Sequence, residues 1–294
     1  MRAATSVLTP RAMLIPMAVV GGLLGCLLIL GLTGTASGVI DAGIQLDLSV
    51  IAFFNQLARR SWTVDTLVWS VWTNAVLQGG IAMALVWAAW FSKSEAVTDQ
   101  HRREMLLSSL VGMYVCLLST LVLRGLLPFR ARPAVDPAVT FHAPFLPSGV
   151  HLPEATSFPS GHAAILFSLA IGLWLVSRTL GTVVALHGFF VVCLPRVYFG
   201  RHYATDILAG TALAIAIVPL VAQTLRTCQL TQRLVAWSYT RPAVFYSIFF
   251  IVSLDVATDF AYAKTLLHVV GSAVGSVRVT KIAMSVLGVV MAGS

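Results

Sequence analysis

The chain has 294 residues, of which 58% are hydrophobic and only 10% are charged. Soluble globular domains carry about 25% charged residues, so this composition excludes an ordinary soluble domain and indicates several membrane-spanning segments. The net charge of +8 does not indicate nucleic-acid binding, because most basic residues lie in short segments between apolar runs, where they orient the helices.

The N-terminal part of the chain combines one apolar run with a mixed segment. The run extends over about residues 12–33 and is longer than the roughly 7–15 residues in the apolar region of a cleaved signal peptide. It therefore predicts a retained first helix. The segment from Asp41 to Asp65 mixes aromatic and basic residues, which suits either a helix lying in the membrane interface or an ordinary loop helix. Residues 1–65 form the first predicted unit.

Six apolar runs are long enough to cross about 30 Å of hydrocarbon as helices. They lie at about 12–33, 66–91, 105–127, 160–177, 180–196 and 205–225. Residues 66–225 form the second unit, and residues 226–294 form a C-terminal extension with apolar stretches at about 242–258 and 261–294. The predicted fold is all-α, a polytopic membrane helical bundle with a six-helix core and one or two extra C-terminal helices.

Basic residues predict how the bundle is oriented. With the N-terminus inside, the short inner segments contain Arg2, Arg11, Lys93, Arg102, Arg103, Arg178, Arg226, Arg233 and Arg241. The outer set is Arg59, Arg60, Arg124, Arg130, Arg132, Arg196 and Arg201. The count modestly favours this orientation, and the outer arginines violate the positive-inside rule unless they have another task. The same threading brings the end of the third run, the start of the fourth and the connection between the fifth and sixth to one outer face.

Two polar motifs occupy these converging ends. The first is Phe158-Pro159-Ser160-Gly161-His162, and the second extends from Arg196 to Asp206. Charged groups are costly in an apolar chain, so their concentration on one face predicts a functional site. Arginine binds phosphate oxygens bidentately and keeps its proton, a role that Arg132 and Arg196 fit.

The residue types within the motifs suit phosphoryl transfer. Ser160 and Gly161, at the start of an apolar run, would supply a hydroxyl, a closely approachable backbone and a helix N-terminus that favours an anion. His202 and Asp206 are four residues apart, so on a helix the carboxylate would lie beside the imidazole and fix its tautomer. His162 has no such partner nearby in sequence, which suits the task of a general acid.

The motifs resemble those of the type-2 phosphatidic acid phosphatase superfamily. That pattern is Lys, six residues, Arg-Pro; then Pro-Ser-Gly-His; then Ser-Arg, five residues, His, three residues, Asp. The second motif is complete at Pro159 to His162, and the third matches at Arg196, His202 and Asp206. Pro195 replaces the serine, and the position of the lysine is occupied by Gly125. Arg124 or Arg130 is the candidate replacement for that lysine, and the resemblance covers about residues 66–225.

The resemblance implies a role for each residue of the site. His202 would form a phosphohistidine, Asp206 would orient His202, and His162 would protonate the leaving group. The phosphate would be held by Arg132, Arg196, Ser160 and Gly161, with Arg124 in place of the lysine. No His/Cys spacing or carboxylate cluster in the sequence suggests a metal, so we expect a metal-independent reaction without a cofactor.

These observations predict an integral membrane phosphatase that hydrolyses a lipid phosphate or pyrophosphate. Undecaprenyl pyrophosphate, phosphatidylglycerophosphate, phosphatidate and lipid A phosphates remain open as substrates. The expected location is a bacterial inner membrane, with the site facing the periplasm or outside. A lipid phosphotransferase, which passes the phosphate to another lipid, is the enzymatic alternative. An anionic-lipid transporter is the other alternative, and it would carry charges near the bilayer midplane.

Overall fold

The structure is a computed structural model that describes residues 37–93, 98–146 and 156–260, together with residues 19, 21–23, 25 and 265. Every regular element in this part of the chain is a helix or a helical turn, which confirms the all-α prediction. In chain order these are α1 (Ser37–Asn55), α2 (Trp62–Thr73), a π-helical turn (Val76–Gly80), α3 (Ile81–Phe91), α4 (Asp99–Leu126), α5 (Gly161–Trp174), α6 (Arg178–His187), a second π-helical turn (Gly188–Cys193), α7 (Leu194–Tyr198), α8 (Ala204–Leu225), α9 (Gln229–Thr240) and α10 (Pro242–Ala257).

Three helical segments among the described residues are long and apolar enough to cross a membrane. They are Asp99–Leu126, Arg178–Tyr198 and Ala204–Leu225. Two bent pairs raise the number to five if each pair is one span: α2 with Val76–Phe91, bent by 63°, and α9 with α10, bent by 117°. The length and composition of these helices are those of an integral membrane protein.

Some predicted runs take a different form in the structure. The predicted run 12–33 lies almost wholly outside the described residues. The run at 160–177 forms only α5, whose 14 residues span about 21 Å as an α-helix, less than the hydrocarbon thickness. A helix can be this short because its neighbours bury it: most of its side chains are inaccessible. The basic segment after the sixth run, taken as a connection, contains α9.

Helices α4, α5 and α8 pack closely against one another and form the centre of the bundle. Small residues lie between them, including the fully buried Ala164 and Ala214, as is typical of helix contacts in membranes. Gly210 of α8 is the tightest point: a Cβ there would lie 2.3 Å from the carbonyl oxygen of Ser160. Only glycine permits this approach, which places the start of α5 against the first turns of α8.

Buried carboxylates hold the connections at the same end of the bundle. Asp65, on α2, accepts hydrogen bonds from the backbone N–H of Phe145 at 2.8 Å and of Arg59 at 3.1 Å, and from the hydroxyl of Tyr198. One side chain therefore joins the α1–α2 turn, the proline-rich connection after α4, and α7. The helix predicted between Asp41 and Asp65 is present as α1.

Candidate active site

The turn between α7 and α8 carries the predicted nucleophile. The Nδ1 atom of His202 lies 3.4 Å from Oδ2 of Asp206, and both side chains are almost completely buried. Asp206 belongs to the first turn of α8, so the four-residue spacing places the carboxylate beside the imidazole ring. This is the arrangement in which a carboxylate orients a histidine.

Further hydrogen bonds hold the carboxylate of Asp206 in place. Its Oδ2 accepts from the backbone N–H of Tyr203 at 2.7 Å, and its Oδ1 accepts from Arg130 at 2.7 Å. Arg130 also lies 2.5 Å from Asp47 on α1 and donates to the hydroxyl of Thr205 at 2.8 Å. Asp206 is thus held by two donors, and Arg130 forms ion pairs with both Asp47 and Asp206.

The Pro-Ser-Gly-His segment lies directly against this group. The backbone N–H of Ser160 donates to the carbonyl oxygen of Asp206 at 3.0 Å. The Ser160 hydroxyl, which is fully buried, caps α5 by accepting from Ala163 N–H at 3.4 Å. Arg124, in the last turn of α4, donates to the carbonyl oxygen of Pro159 at 2.8 and 3.1 Å. A Cβ added to Gly161 would lie 3.5 Å from the same guanidinium group.

Four arginines bring a high density of positive charge to the site. Arg132, Arg196 and Arg201 are buried, and Arg132 interacts electrostatically with both of the others and with Arg124. Burial and the neighbouring guanidinium groups lower the pKa of Arg132 to about 9, and burial together with Arg196 lowers the pKa of Arg201 to about 10. An anion bound among them would offset this repulsion.

His202 is neutral in this environment. Burial lowers the pKa of His202 to about 4, and the charges of Arg132 and Arg124 act in the same direction, whereas the adjacent carboxylate of Asp206 opposes them. A neutral imidazole keeps a free electron pair on one ring nitrogen at pH 7, which a nucleophile needs.

A cavity of about 310 Å³ opens beside these residues. Its lining includes His162, Arg196 and Arg201 together with Trp69 and Trp72 of α2. The guanidinium carbon of Arg201 lies 5.7 Å from the centre of the Trp72 ring. Asp259 and a few uncharged polar residues also line the cavity, and the rest of its wall is apolar. A cavity with cations and a large apolar wall suits a ligand that joins an anionic group to a hydrophobic body.

Arg196 and His162 have partners from parts of the chain that the motifs do not include. Arg196 donates to Oε1 of Gln78 at 2.5 Å and to the carbonyl oxygen of Val192 at 2.8 Å. The Nε2 atom of His162 lies 3.3 Å from Oδ2 of Asp259, just beyond the end of α10.

The structure thus brings every predicted site residue to one end of the bundle, although their roles stay predictions. Of the two candidates for the missing lysine, Arg124 lies beside Gly161, whereas Arg130 lies behind Asp206. Sequence reasoning did not identify Asp47, Gln78 or Asp259 as residues of the site. Each is a polar residue within or beside an apolar run, which was the available signal. Among the described residues no three His, Cys, Asp or Glu side chains cluster so as to hold a metal ion.

The sequence of this chain is similar to those of one protein superfamily and of a known protein. The model of the PAP2 superfamily matches residues 104–230. The chain is also 25% identical over 181 residues to the lipid A 1-diphosphate synthase of Escherichia coli (strain K12), a match that covers 59% of this chain and 73% of that protein. No solved structure matches the chain significantly. The matched range includes both histidine motifs, Arg124, Arg130 and Arg132, and it excludes Asp47, Gln78 and Asp259.

Proposed function

We propose, since residues 104–230 of this chain are a PAP2 superfamily domain, that the protein is a membrane phosphatase that hydrolyses a lipid phosphate or pyrophosphate through a phosphohistidine. The observation that carries the proposal is the position of His202. It is a buried, neutral imidazole held beside Asp206, next to a cavity lined by Arg196, Arg201 and His162.

The proposed reaction has two steps. A ring nitrogen of His202 attacks phosphorus, the bond to the leaving oxygen breaks, and His162 donates a proton to that oxygen. Water then attacks the phosphohistidine, loses a proton to His162 and releases phosphate, which restores both histidines. Asp206 stays ionised and stabilises the positive charge that His202 acquires, as the carboxylate of a catalytic triad does.

The arginines and helix start would stabilise the transferring group. Arg132, Arg196 and Arg124 supply fixed positive charge, and the N-terminus of α5 at Gly161 supplies backbone N–H groups. Ser160 would contribute through its cap on α5, because its hydroxyl is already bonded to the helix. This set of cations would take the role that metal ions have in other phosphoryl-transfer sites, so we propose a metal-independent reaction.

A lipid phosphotransferase is the second candidate function. It is favoured by one observation, the similarity to a protein whose name is lipid A 1-diphosphate synthase. In that case a lipid phosphate, instead of water, would attack the phosphohistidine. The positions of the charged groups disfavour the transporter alternative, because these groups lie at one end of α4, α5 and α8 instead of near their middle.

Phosphate release by the purified protein in detergent tests the proposal. The substrates would be undecaprenyl pyrophosphate, phosphatidylglycerophosphate, phosphatidate and lipid A 1-diphosphate, each with and without a second lipid as acceptor. We expect inorganic phosphate from at least one of them and none with His202→Ala. If the phosphate of the substrate is labelled, transfer of the label to the acceptor lipid would identify the phosphotransferase. A wild-type protein that neither releases nor transfers phosphate would refute both candidates.

A further inference from the structure

The C-terminal extension supplies a carboxylate to the cavity that His162 lines. Asp259 lies two residues beyond Ala257, the last residue of α10, and its Oδ2 lies 3.3 Å from Nε2 of His162. Both side chains line the cavity together with Arg196. Asp259 lies outside residues 104–230, the range that matches the superfamily model, so the motifs do not account for this contact.

The backbone around Asp259 is held in an unusual conformation. Asp259 and Phe260 have φ angles of 56° and 60°, a region that is costly for residues with a Cβ, above all for a bulky one. Hydrogen bonds from Asp259 N–H to Val256 at 3.3 Å and from Phe260 N–H to Asp255 at 2.7 Å close the end of α10. Such a conformation persists only where the surrounding structure determines it.

Packing on both sides determines it here. The buried Phe260 ring lies 5.7 Å from the ring of Tyr114 on α4. On the other side the backbone of Ala257 approaches Gly79 so closely that a Cβ on Gly79 would lie 2.9 Å from it. These contacts fix the end of α10 against α4 and the first π-helical turn, and they direct Asp259 to the cavity.

The charges that face His162 give this contact a function. Burial is the largest influence against a proton on His162, and Arg196, from α7, and His202, from the α7–α8 turn, act in the same direction, whereas the carboxylate of Asp259 favours the proton. Arg124 and Arg196 interact in turn with Asp259. A buried general acid among arginines binds its proton weakly, and a carboxylate at hydrogen-bond range strengthens that binding.

We propose that Asp259 is a positioning residue that orients the imidazole of His162 and raises its affinity for the proton that the general acid donates. This inference rests on the proposed function. The Nε2–H of His162 donates to Asp259, and the proton on Nδ1 passes to the leaving oxygen as the bond to phosphorus breaks. His162 is then neutral and takes a proton from the attacking water. Asp259 remains ionised throughout, so the C-terminal extension completes the acid half of the site.

The variant Asp259→Asn tests this role, with Asp255→Asn as the matched control. Asp255 lies one turn earlier on the same helix and interacts with Tyr114. The titration midpoint of His162, followed by NMR of ¹³C-labelled histidine and assigned with His162→Gln, should fall by about one pH unit or more in Asp259→Asn, a tenfold change in proton affinity. It should stay unchanged in Asp255→Asn.

Kinetics provide the second readout. In Asp259→Asn the alkaline limb of the kcat profile should move to lower pH, and turnover of a lipid phosphate should fall about tenfold or more, a fraction of the 10²–10⁴-fold typical of general acid catalysis. Turnover of p-nitrophenyl phosphate, whose leaving group needs little acid, should fall much less. Asp259→Glu should restore part of the lipid activity.

Several outcomes would overturn the inference. If the wild type is active but the titration midpoint of His162 is the same in Asp259→Asn, the role of Asp259 is rejected and the proposed function stands. Faster turnover in Asp259→Asn, with tighter inhibition by inorganic phosphate, would mean that the carboxylate competes with substrate. A wild type that neither releases nor transfers phosphate rejects the proposed function and the catalytic role of Asp259 together, whatever the NMR midpoint.

Discussion

Individual residues around His202 divide the electrostatic work between them. Asp206 accepts from Tyr203 and Arg130 and lies 3.4 Å from the imidazole, so it remains ionised and immobile. Arg132 and Arg124 act on His202 from elsewhere in the site. The carboxylate therefore orients the ring, while burial and the arginines keep the ring neutral until it reacts.

The low pKa of His202 predicts that the enzyme stays active at acidic pH. A nucleophile must be deprotonated, and burial lowers the pKa of His202 from its ordinary value of 6.5 to about 4. The acid limb of kcat/KM, corrected for ionisation of the substrate, should therefore lie near pH 4, with His202 neutral above that. His142, an exposed histidine, is the control, since His142→Ala should leave the limb unchanged. A limb near pH 6.5 would contradict the neutral, buried nucleophile.

The two histidines should respond differently to the leaving group. His202→Ala should abolish turnover and any covalent phosphoenzyme with every substrate. His162→Ala should lower turnover of a lipid phosphate by about 10²–10⁴-fold, the typical contribution of a general acid, and lower that of p-nitrophenyl phosphate much less. The measurement is steady-state turnover with acid-stable and base-stable trapping of phosphoenzyme. A phosphoenzyme trapped in His202→Ala, or equal losses for His162→Ala when chemistry is rate-limiting, would reverse the assignment.

Arginine in place of a metal ion predicts insensitivity to chelators. Activity should survive prolonged treatment with EDTA, because Arg124, Arg132 and Arg196 would supply the positive charge at the phosphate. In a companion variant, Arg196→Lys keeps the positive charge but loses the planar guanidinium group, so its activity should be lower than that of the wild type. Inactivation by EDTA with recovery on addition of one divalent ion would count against the site as proposed.

Whole elements meet at the motifs through close backbone contacts. The start of α5 lies against α8 because Gly210 has no side chain, and this contact positions Ser160 to bond the carbonyl oxygen of Asp206. The N-terminus of α5, the first turn of α8 and the last turn of α4 consequently meet at one point. Each contributes at least one residue of the site.

Gly210→Ala should disturb the site through this contact. The added Cβ would lie 2.3 Å from the Ser160 carbonyl oxygen, so the two helices must separate. Overpacking of this kind typically costs about 1–3 kcal/mol of stability. We expect a lower unfolding temperature in detergent and a loss of phosphate release. Gly125→Ala, where nothing lies within 4 Å of the new Cβ, should change neither, and equal effects of both substitutions would exclude the proposed contact.

The molecule as a whole has two polar ends. The site lies at the start of α8, and Cys228 lies beyond its other end. Because α8 is long and apolar enough to cross the membrane, we expect these ends to face opposite sides. The count of basic residues predicts that the site faces the outside.

Cysteine labelling tests this orientation. Ala138→Cys, at an exposed position of the connection after α4, should react with a membrane-impermeant maleimide in intact cells. The natural Cys228 is exposed and is the internal control, since it should react only after the membrane is permeabilised. The reverse pattern would move the site and its substrate to the cytoplasmic leaflet.

The membrane helical bundle and the identity of the motif residues could be predicted from the sequence. Membrane-length apolar runs can be recognised from their composition and length. The placement of Asp206 beside His202 follows from a four-residue spacing and local helix geometry, so a single segment of sequence is enough to predict it. The prediction was less accurate for α5 and α9, because burial by neighbouring helices, and not length or polarity, decides whether such segments form short helices.

The distant residues that complete the site could not be predicted from the sequence, because their positions depend on the tertiary packing. Asp47, Gln78 and Asp259 come from helices on either side of the matched domain and reach Arg130, Arg196 and His162 across more than 75 residues of chain. A sequence records that these side chains are polar among apolar neighbours, but not which partner each one meets. That choice follows from the packing of whole helices, because a buried charge is stable only where the fold brings an opposite charge or a hydrogen-bonding group to it.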